Sequence, residues 1–355
     1  MPQVTFNNQR KIFFNSINAH VEQYFKERNL KKTGNKKLYF KSFILITAAV
    51  AAYIGLLTMQ VNPFIAAGLC CLFGFIQACI GFNVMHDANH GSYSEKKWIN
   101  NLMGLTANMM GVNAWFWKQK HNIIHHTYTN VDGVDDDIIK PPLLRMCSSQ
   151  KYLKVHRYQH IYCVPVYGLT SLIWTFVSDF AKYFQKKIQS TKIRKMEAKE
   201  HVIFWLTKVL YCFFYIALPV YMVGFVPFII GFILMHVTMG ITLALVFQLA
   251  HVVESTHFVD AQNNDLRIKD EWAVHQVQTT ADFATNNKII GWLTGGLNFQ
   301  VEHHLFPKIS HVHYPVIHKF VKDACQKFSI RHNDYPSMTS AIFSHLRLMK
   351  QLGMQ

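Results

Sequence analysis

The chain has 355 residues, half of them hydrophobic and 14% aromatic, yet its formal net charge is +16. Charge of that size would suggest nucleic acid if spread evenly, but no Lys or Arg lies between Lys41 and Lys96 or between Lys208 and Arg267. Long apolar runs fill both gaps, which argues against nucleic acid and for a membrane protein with basic flanks. The 7 cysteines are odd in number and include no C-x-x-C, so neither a disulfide framework nor a thiolate metal site is expected.

Residues 1–41 are polar and basic, form an N-terminal segment and show no cleavable apolar leader. The first gap resolves into spans at about 42–59 and 63–85, joined by the turn Gln60-Val-Asn-Pro63. Each is close to the ~20 residues that cross a hydrocarbon core. His86-Asp-Ala-Asn-His90 follows directly on the second span. Residues 101–117 are apolar but interrupted, and predict an interfacial or re-entrant helix ending in Trp115, Phe116 and Trp117.

His121-Asn-Ile-Ile-His125-His126 comes next, followed by Asp132, Asp135, Asp136 and Asp137, which lack the spacing of an EF-hand loop. Residues 161–180 read as a second interfacial or re-entrant helix. The stretch 182–200, with seven Lys/Arg against two Glu, predicts a solvated helix, with anionic lipid binding as the functional alternative. Spans at about 202–223 and 226–250 follow, joined around Gly224-Phe225, with His251 at the end. His236 lies ~22 Å from His251 along the helix, so an interhelical hydrogen bond is expected there. The last cluster is Gln300-Val-Glu-His303-His304. Past Pro307 the chain is amphipathic, and residues 316–355 are expected to join the N-terminal segment in a helical cap.

The fold expected is therefore all-α: four transmembrane helices in two hairpins, with a cytoplasmic cap carrying the histidines. The turns between hairpin arms hold no Lys or Arg while the other loops are basic, which puts both termini and the clusters in the cytoplasm.

Residues three and four apart share a helix face, so each cluster aims several imidazoles at one point. Neutral imidazole ligates iron, zinc and copper. With 20 His in the chain some pairs arise by chance, but three sets, two of them ending in His-His, do not. His86, His90, His121, His125, His126, His303 and His304 are too many for one tetrahedral zinc. Two metal ions are the simplest account. A metal transporter or zinc-bearing receptor is the rival from another class, but a transporter would hold its ligands near the bilayer midplane.

With these clusters on this topology, the chain resembles the membrane fatty acid desaturases from about Phe40 to Pro315. The three sets match that family's histidine boxes in order, and the flanking text Lys120-His-Asn-Ile-Ile-His-His-Thr-Tyr-Thr-Asn130 and Gly295-Gly-Leu-Asn-Phe-Gln-Val-Glu-His-His-Leu-Phe-Pro307 is also similar. Gln300 at the head of the third box is similar to the front-end class, which counts from the carboxyl end (Δ5 and Δ6 types). The text is similar to bacterial linoleoyl-CoA or acyl-lipid desaturases, which implies a bacterial inner membrane.

The resemblance implies a desaturase domain at 42–315 in which two irons activate O2 and remove two hydrogens from an acyl chain, giving a cis double bond. It also implies a ligand from the fourth span, which His251 fits; His257 and His275 are expected to hydrogen-bond or to lie at the surface. Gln300 is a possible ligand. Metal-bound imidazoles usually donate their other N–H to a carboxylate, and Asp137 is the favoured partner, with Asp87, Glu302, Asp132, Asp135 and Asp136 as further candidates. Trp115, Phe116 and Trp117 line an acyl channel or form an interfacial belt. No His-Pro-Gly-Gly haem motif occurs, so electrons are expected from a separate ferredoxin or cytochrome-b-type protein. A hydroxylase or a sphingolipid desaturase of the same superfamily is the rival within enzymes.

Overall fold

The computed structural model describes residues 4–8, 10–138, 142–189, 191–261 and 266–354. Among the described residues, four helices are long and apolar enough to cross a membrane: Lys36–Thr58, Pro63–His90, Ala198–Val223 and Phe225–His251. Each begins or ends a few residues beyond the composition-based bounds. The first starts early because Asn35 caps it, its side chain accepting from Lys37 N and Leu38 N. Cationic residues at such an end continue the helix and reach outward with their long stems.

The spans are not equivalent. Of the apolar window of the second span 44% is buried, and of the fourth 33%, against 17% for each of the other two. The second and fourth are thus the inner pair, packed along each other, while the first and third present Phe43, Ile54, Val209 and Phe213 outward. A soluble protein could not expose so many large apolar side chains in one belt. Lipid accounts for them.

Residues 154–185 form two helical stretches bent by 55° at Leu169, and they lie against the fourth span. Gly240 permits the approach, since a Cβ there would sit 2.7 Å from Gly168 O. Ser171 Oγ and Tyr211 Oη reach the two ring nitrogens of His236 at 2.9 and 2.8 Å, the interhelical hydrogen bonds expected of that buried residue.

The solvated helix expected over 182–200 is not what forms. The helix Asp179–Gln185 stops at Lys186, whose φ is 54°, and Lys187–Ile188 pairs antiparallel with Thr191–Lys192. The third span starts only at Ala198, where Glu200 accepts from Glu197 N. Crowded cations repel along a helix, and β-branched Ile188, Thr191 and Ile193 favour an extended chain.

The polar segments at the two ends of the chain share one core with the third histidine box. Phe13, Ile17, Val21 and Phe25 of the helix Ile12–Glu27 pack with Val301, Leu305, Ile317 and Val321. The helix Met338–Leu352 instead buries Ala341, Met349 and Leu352 against the bent helices and the end of the fourth span.

Candidate metal centre

The first box is the last turn and a half of the second span. A π-helical turn, Gly81–Met85, joins the span to the α-turn His86–His90, and Gly91, with φ of 79°, ends the helix. The second box is itself π-helical. Asn113 caps the helix Ala114–Lys118, which runs on into the wider turn Gln119–His125. The sequence spacing suggested α-helical faces, but the π-turn brings residues five apart together, so His126 Nε2 lies 3.3 Å from His121 Nε2. The third box is a single α-turn, Gln300–Leu305.

Asn130 fastens the second box to the fourth span. Its φ is 55°, which Asn tolerates better than most residues. Its amide donates to His251 O, His257 O and Thr279 O at 2.8, 3.1 and 3.2 Å.

These elements gather every histidine of the boxes, and His251 with them, into one buried cluster. Ligand atoms of His86, His90, His121 and His303 lie within 4.8 Å of one another, as do those of His125, His251 and His304. His126, His303 and His304 form a third such group between the two. The arrangement is compatible with a pair of metal ions. Further support lies in the ring nitrogens without hydrogen-bond partners: His90 Nε2, His125 Nε2, His303 Nε2 and His304 Nε2 among them. A buried polar atom left unpaired costs about 1–3 kcal/mol, so a convergent set of them calls for a cation.

Burial and the neighbouring imidazoles push the His121, His126, His303 and His304 pKa values well below the ordinary histidine range. They are neutral, as ligation requires. His125 goes the other way: burial opposes its charged form, but Asp135 beside it outweighs that and raises its pKa.

The groups that orient the imidazoles are only partly those expected. Asp135 Oδ2 accepts from His125 Nδ1 at 3.0 Å, while Asp137 stands 3.7 Å off and pairs with Lys120 Nζ at 2.6 Å. Asp87 faces no box imidazole; it accepts from Ser310 Oγ at 2.7 Å and from His311 N at 3.3 Å, with His311 Nδ1 3.0 Å away. Glu302 likewise points away, to His318 Nδ1 at 3.2 Å. In both cases the helix turn that aims the histidines inward sends the intervening carboxylate to another side. His304 Nδ1 is held by Gln276 Oε1 at 2.8 Å, and His303 Nδ1 by Tyr314 Oη at 3.0 Å. No spacing in the sequence pointed to Gln276 or Tyr314.

Gln300 Nε2 lies 2.9 Å from His251 Nε2, and its Oε1 has no partner. His275 hydrogen-bonds Thr129 O through Nε2 at 2.9 Å, and His257 is exposed. Trp117 stacks on His121 with ring centroids 4.3 Å apart, whereas Phe116 packs into Phe204 and Trp115 is half-buried.

A cavity of about 90 Å³ reaches His86, His121 and Gln300, with Gly81, Trp117 and Leu243 in its mostly apolar wall. A larger one, about 430 Å³, lies between the first three spans and touches no box histidine. Met110 lines the larger cavity and stands within van der Waals distance of a Cβ built on Gly81, which lines the smaller.

A family model described as fatty acid desaturase matches residues 62–336. The chain is 34% identical to an sn-1 linoleoyl-lipid 6-desaturase of Synechocystis sp., over 97% of its own length and 96% of the relative's. It is also 34% identical to the protein of that name from Arthrospira platensis, covering 96% and 92%. A third relative, an acyl-lipid (8-3)-desaturase of Physcomitrium patens, is 34% identical over 96% of this chain and 72% of its own.

Proposed function

Because the chain belongs to the fatty acid desaturase family, we propose that it desaturates acyl lipids between an existing double bond and the carboxyl end, at the Δ6 position. It is an integral membrane oxidoreductase of fatty acyl chains. The observation that carries the proposal is the apolar cavity that reaches His86 and His121, in the first of the two groups of buried imidazoles. The names of the 34% identical relatives support acyl-lipid substrates and the front-end position.

Iron is the metal we assign, and His86, His90, His121, His125, His126, His251, His303 and His304 would hold it, with Gln300 as a further donor. Two irons, when bound, supply the activation of O2 and the removal of hydrogen from unactivated methylenes, which no side chain achieves by acid–base chemistry. The protein's own residues do the rest. Asp135, Gln276 and Tyr314 fix which nitrogen of three imidazoles faces the metals. Trp117, Phe82 and Leu243 line the cavity and keep water from the reacting methylenes. Lys120, buried beside Asp137 and Asp136, brings its positive charge into the same wall without leaving it unpaired.

The domain and topology assignments follow. Residues 42–315 form the desaturase domain, and the segments 1–41 and 316–355 complete a cytoplasmic cap over two helical hairpins. The bent pair at 154–185 is taken as re-entrant. Were it a fifth crossing, the third box would leave the bilayer on the side opposite the first two. The inner membrane of a bacterium is the site proposed, and the excess of Lys and Arg suits docking of an acidic electron carrier, a ferredoxin or a cytochrome-b-type protein.

Expression in a host that makes only simple fatty acids, with supplied linoleate, tests the reading. Mass-spectrometric location of a new double bond at C6 supports it. A hydroxylated product assigns the chain to oxygenation, and a double bond on the methyl side of the existing ones removes the front-end proposal.

A further inference from the structure

Asp282, Glu302, His318 and His332 bring one ligand atom each to within 4.8 Å of the others, from four separate elements. Asp282 opens the strand Asp282–Phe283, and Glu302 lies in the third box. His318 belongs to the helix Tyr314–Lys327, and His332 precedes the strand Asp334–Tyr335 that pairs with Asp282–Phe283. Both carboxylates are fully buried, and the side chain of His332 is 8% exposed. None of the four holds a box imidazole. We propose that these four side chains form a third metal site, a closed structural zinc centre that ties the third histidine box to the C-terminal segment.

The geometry carries the assignment. Zinc bound tetrahedrally by nitrogen and oxygen at 2.0–2.2 Å separates neighbouring ligand atoms by about 3.3–3.6 Å. His318 Nδ1 lies 3.1 Å from Asp282 Oδ2 and 3.2 Å from Glu302 Oε1; His332 Nε2 lies 3.3 and 3.9 Å from the same two atoms. The competing account is a charge-balanced ion-pair cluster with both imidazoles protonated. In that case each imidazole N–H should aim at a carboxylate oxygen. Only His318 does so, toward Glu302. Asp282 Oδ2 and His332 Nε2, 3.3 Å apart, have no hydrogen-bond partner despite that contact. Lone pairs that converge without hydrogen-bond alignment are what a metal ion requires.

The donor set chooses the ion. Two imidazoles and two carboxylates without thiolate suit zinc in a closed four-coordinate site, which leaves no position for O2. Asp282 is anchored for the task, because its Oδ1 accepts from Val301 N at 2.9 Å. His332 also lines an open surface groove of about 600 Å³, which gives an ion a way in.

Metal analysis of the full-length chain, purified in detergent with iron and zinc supplied, tests the proposal. The expected result is one zinc per chain besides the iron, with a zinc-edge absorption spectrum of nitrogen and oxygen donors and no sulfur. His332→Ala and His318→Gln should each lower zinc occupancy by more than about tenfold while leaving the iron content unchanged. A zinc chelator that spares iron should lower the melting temperature of the wild type, and added zinc should restore it. This readout stands even if a variant folds poorly. No zinc in the wild type, or zinc unchanged in both variants, overturns the site, and does so independently of whether the chain desaturates.

Discussion

His125 and Asp135, both completely buried, face each other with Nδ1 and Oδ2 3.0 Å apart. The same carboxylate accepts from Asn130 N at 3.0 Å through Oδ2 and from Asp137 N at 3.0 Å through Oδ1. One side chain thus shapes the loop after the second box and fixes the tautomer of a ligand within it.

Asp135→Asn keeps an acceptor but loses the charge that favours the Nδ1–H tautomer. Iron affinity should fall by about 10–100-fold, the usual cost of losing an orienting carboxylate. Iron titration of purified variants measures it. Asp137→Asn, which mainly disturbs the pairing with Lys120, should cost less iron; the reverse order would reinstate Asp137 as the orienting group.

Gln300 touches His251 and leaves its own oxygen without a partner beside the cavity. Gln300→His offers a nitrogen in place of that oxygen and should retain iron and part of the activity. Gln300→Ile can neither ligate nor hydrogen-bond, and should lose most of both. Wild-type turnover in the Ile variant would mean that Gln300 has no part in the site.

Gly81 and Met110 stand at the wall between the two cavities. A Cβ on Gly81 would already lie 3.3 Å from Leu243 Cδ2 and 3.4 Å from Met110 Cε, so Gly81→Leu should fill the smaller cavity. Conversion of an 18-carbon substrate should drop at least about tenfold, with shorter chains less affected, and Met110→Ala should favour longer ones. Competition assays with acyl chains of graded length read this directly.

The topology predicts the side reached by each loop. Reporter fusions at Asn62 and Gly224 should report the non-cytoplasmic face, and fusions at Lys151 and Lys350 the cytoplasm. A non-cytoplasmic signal at Lys350 would make the bent helices at 154–185 a fifth crossing.

His345 gives a pH dependence with a definite sign. Burial lowers its pKa from 6.5 to about 4, while Val252 O accepts from its Nδ1 at 2.6 Å and Tyr167 Oη meets its Nε2 at 2.8 Å. Below pH 6.5 the unfolded chain therefore holds a proton that the folded chain refuses. Stability from this site is complete above pH 6.5 and is lost as the pH falls toward about 4. The loss is on the order of 3 kcal/mol. His345→Gln can keep both hydrogen bonds without titrating, so its melting temperature should fall less steeply over that interval. Parallel acid limbs for the two proteins would remove His345 as the cause.

Four apolar runs and three sets of histidines were legible in the sequence because hydropathy and periodicity are local properties. Each span and each box needs only its own residues to declare itself. His251 was reachable too, through the family resemblance and its place at the end of a span. The partners of the imidazoles were not. Asp135 rather than Asp137, and Gln276 and Tyr314 at all, were decided by how the second and third boxes pack with the helices Trp272–Thr279 and Tyr314–Lys327. Local spacing also pointed to an α-turn at the second box, whereas the structure holds the wider π-turn that brings His121 against His126. The second meeting of histidines with carboxylates was equally hidden. Asp282 and His332 are far apart along the chain and match no motif, and only the pairing of the short strands at 282 and 334 sets them side by side. Proximity of that kind belongs to tertiary packing, because the contacts that create it join segments with no common period.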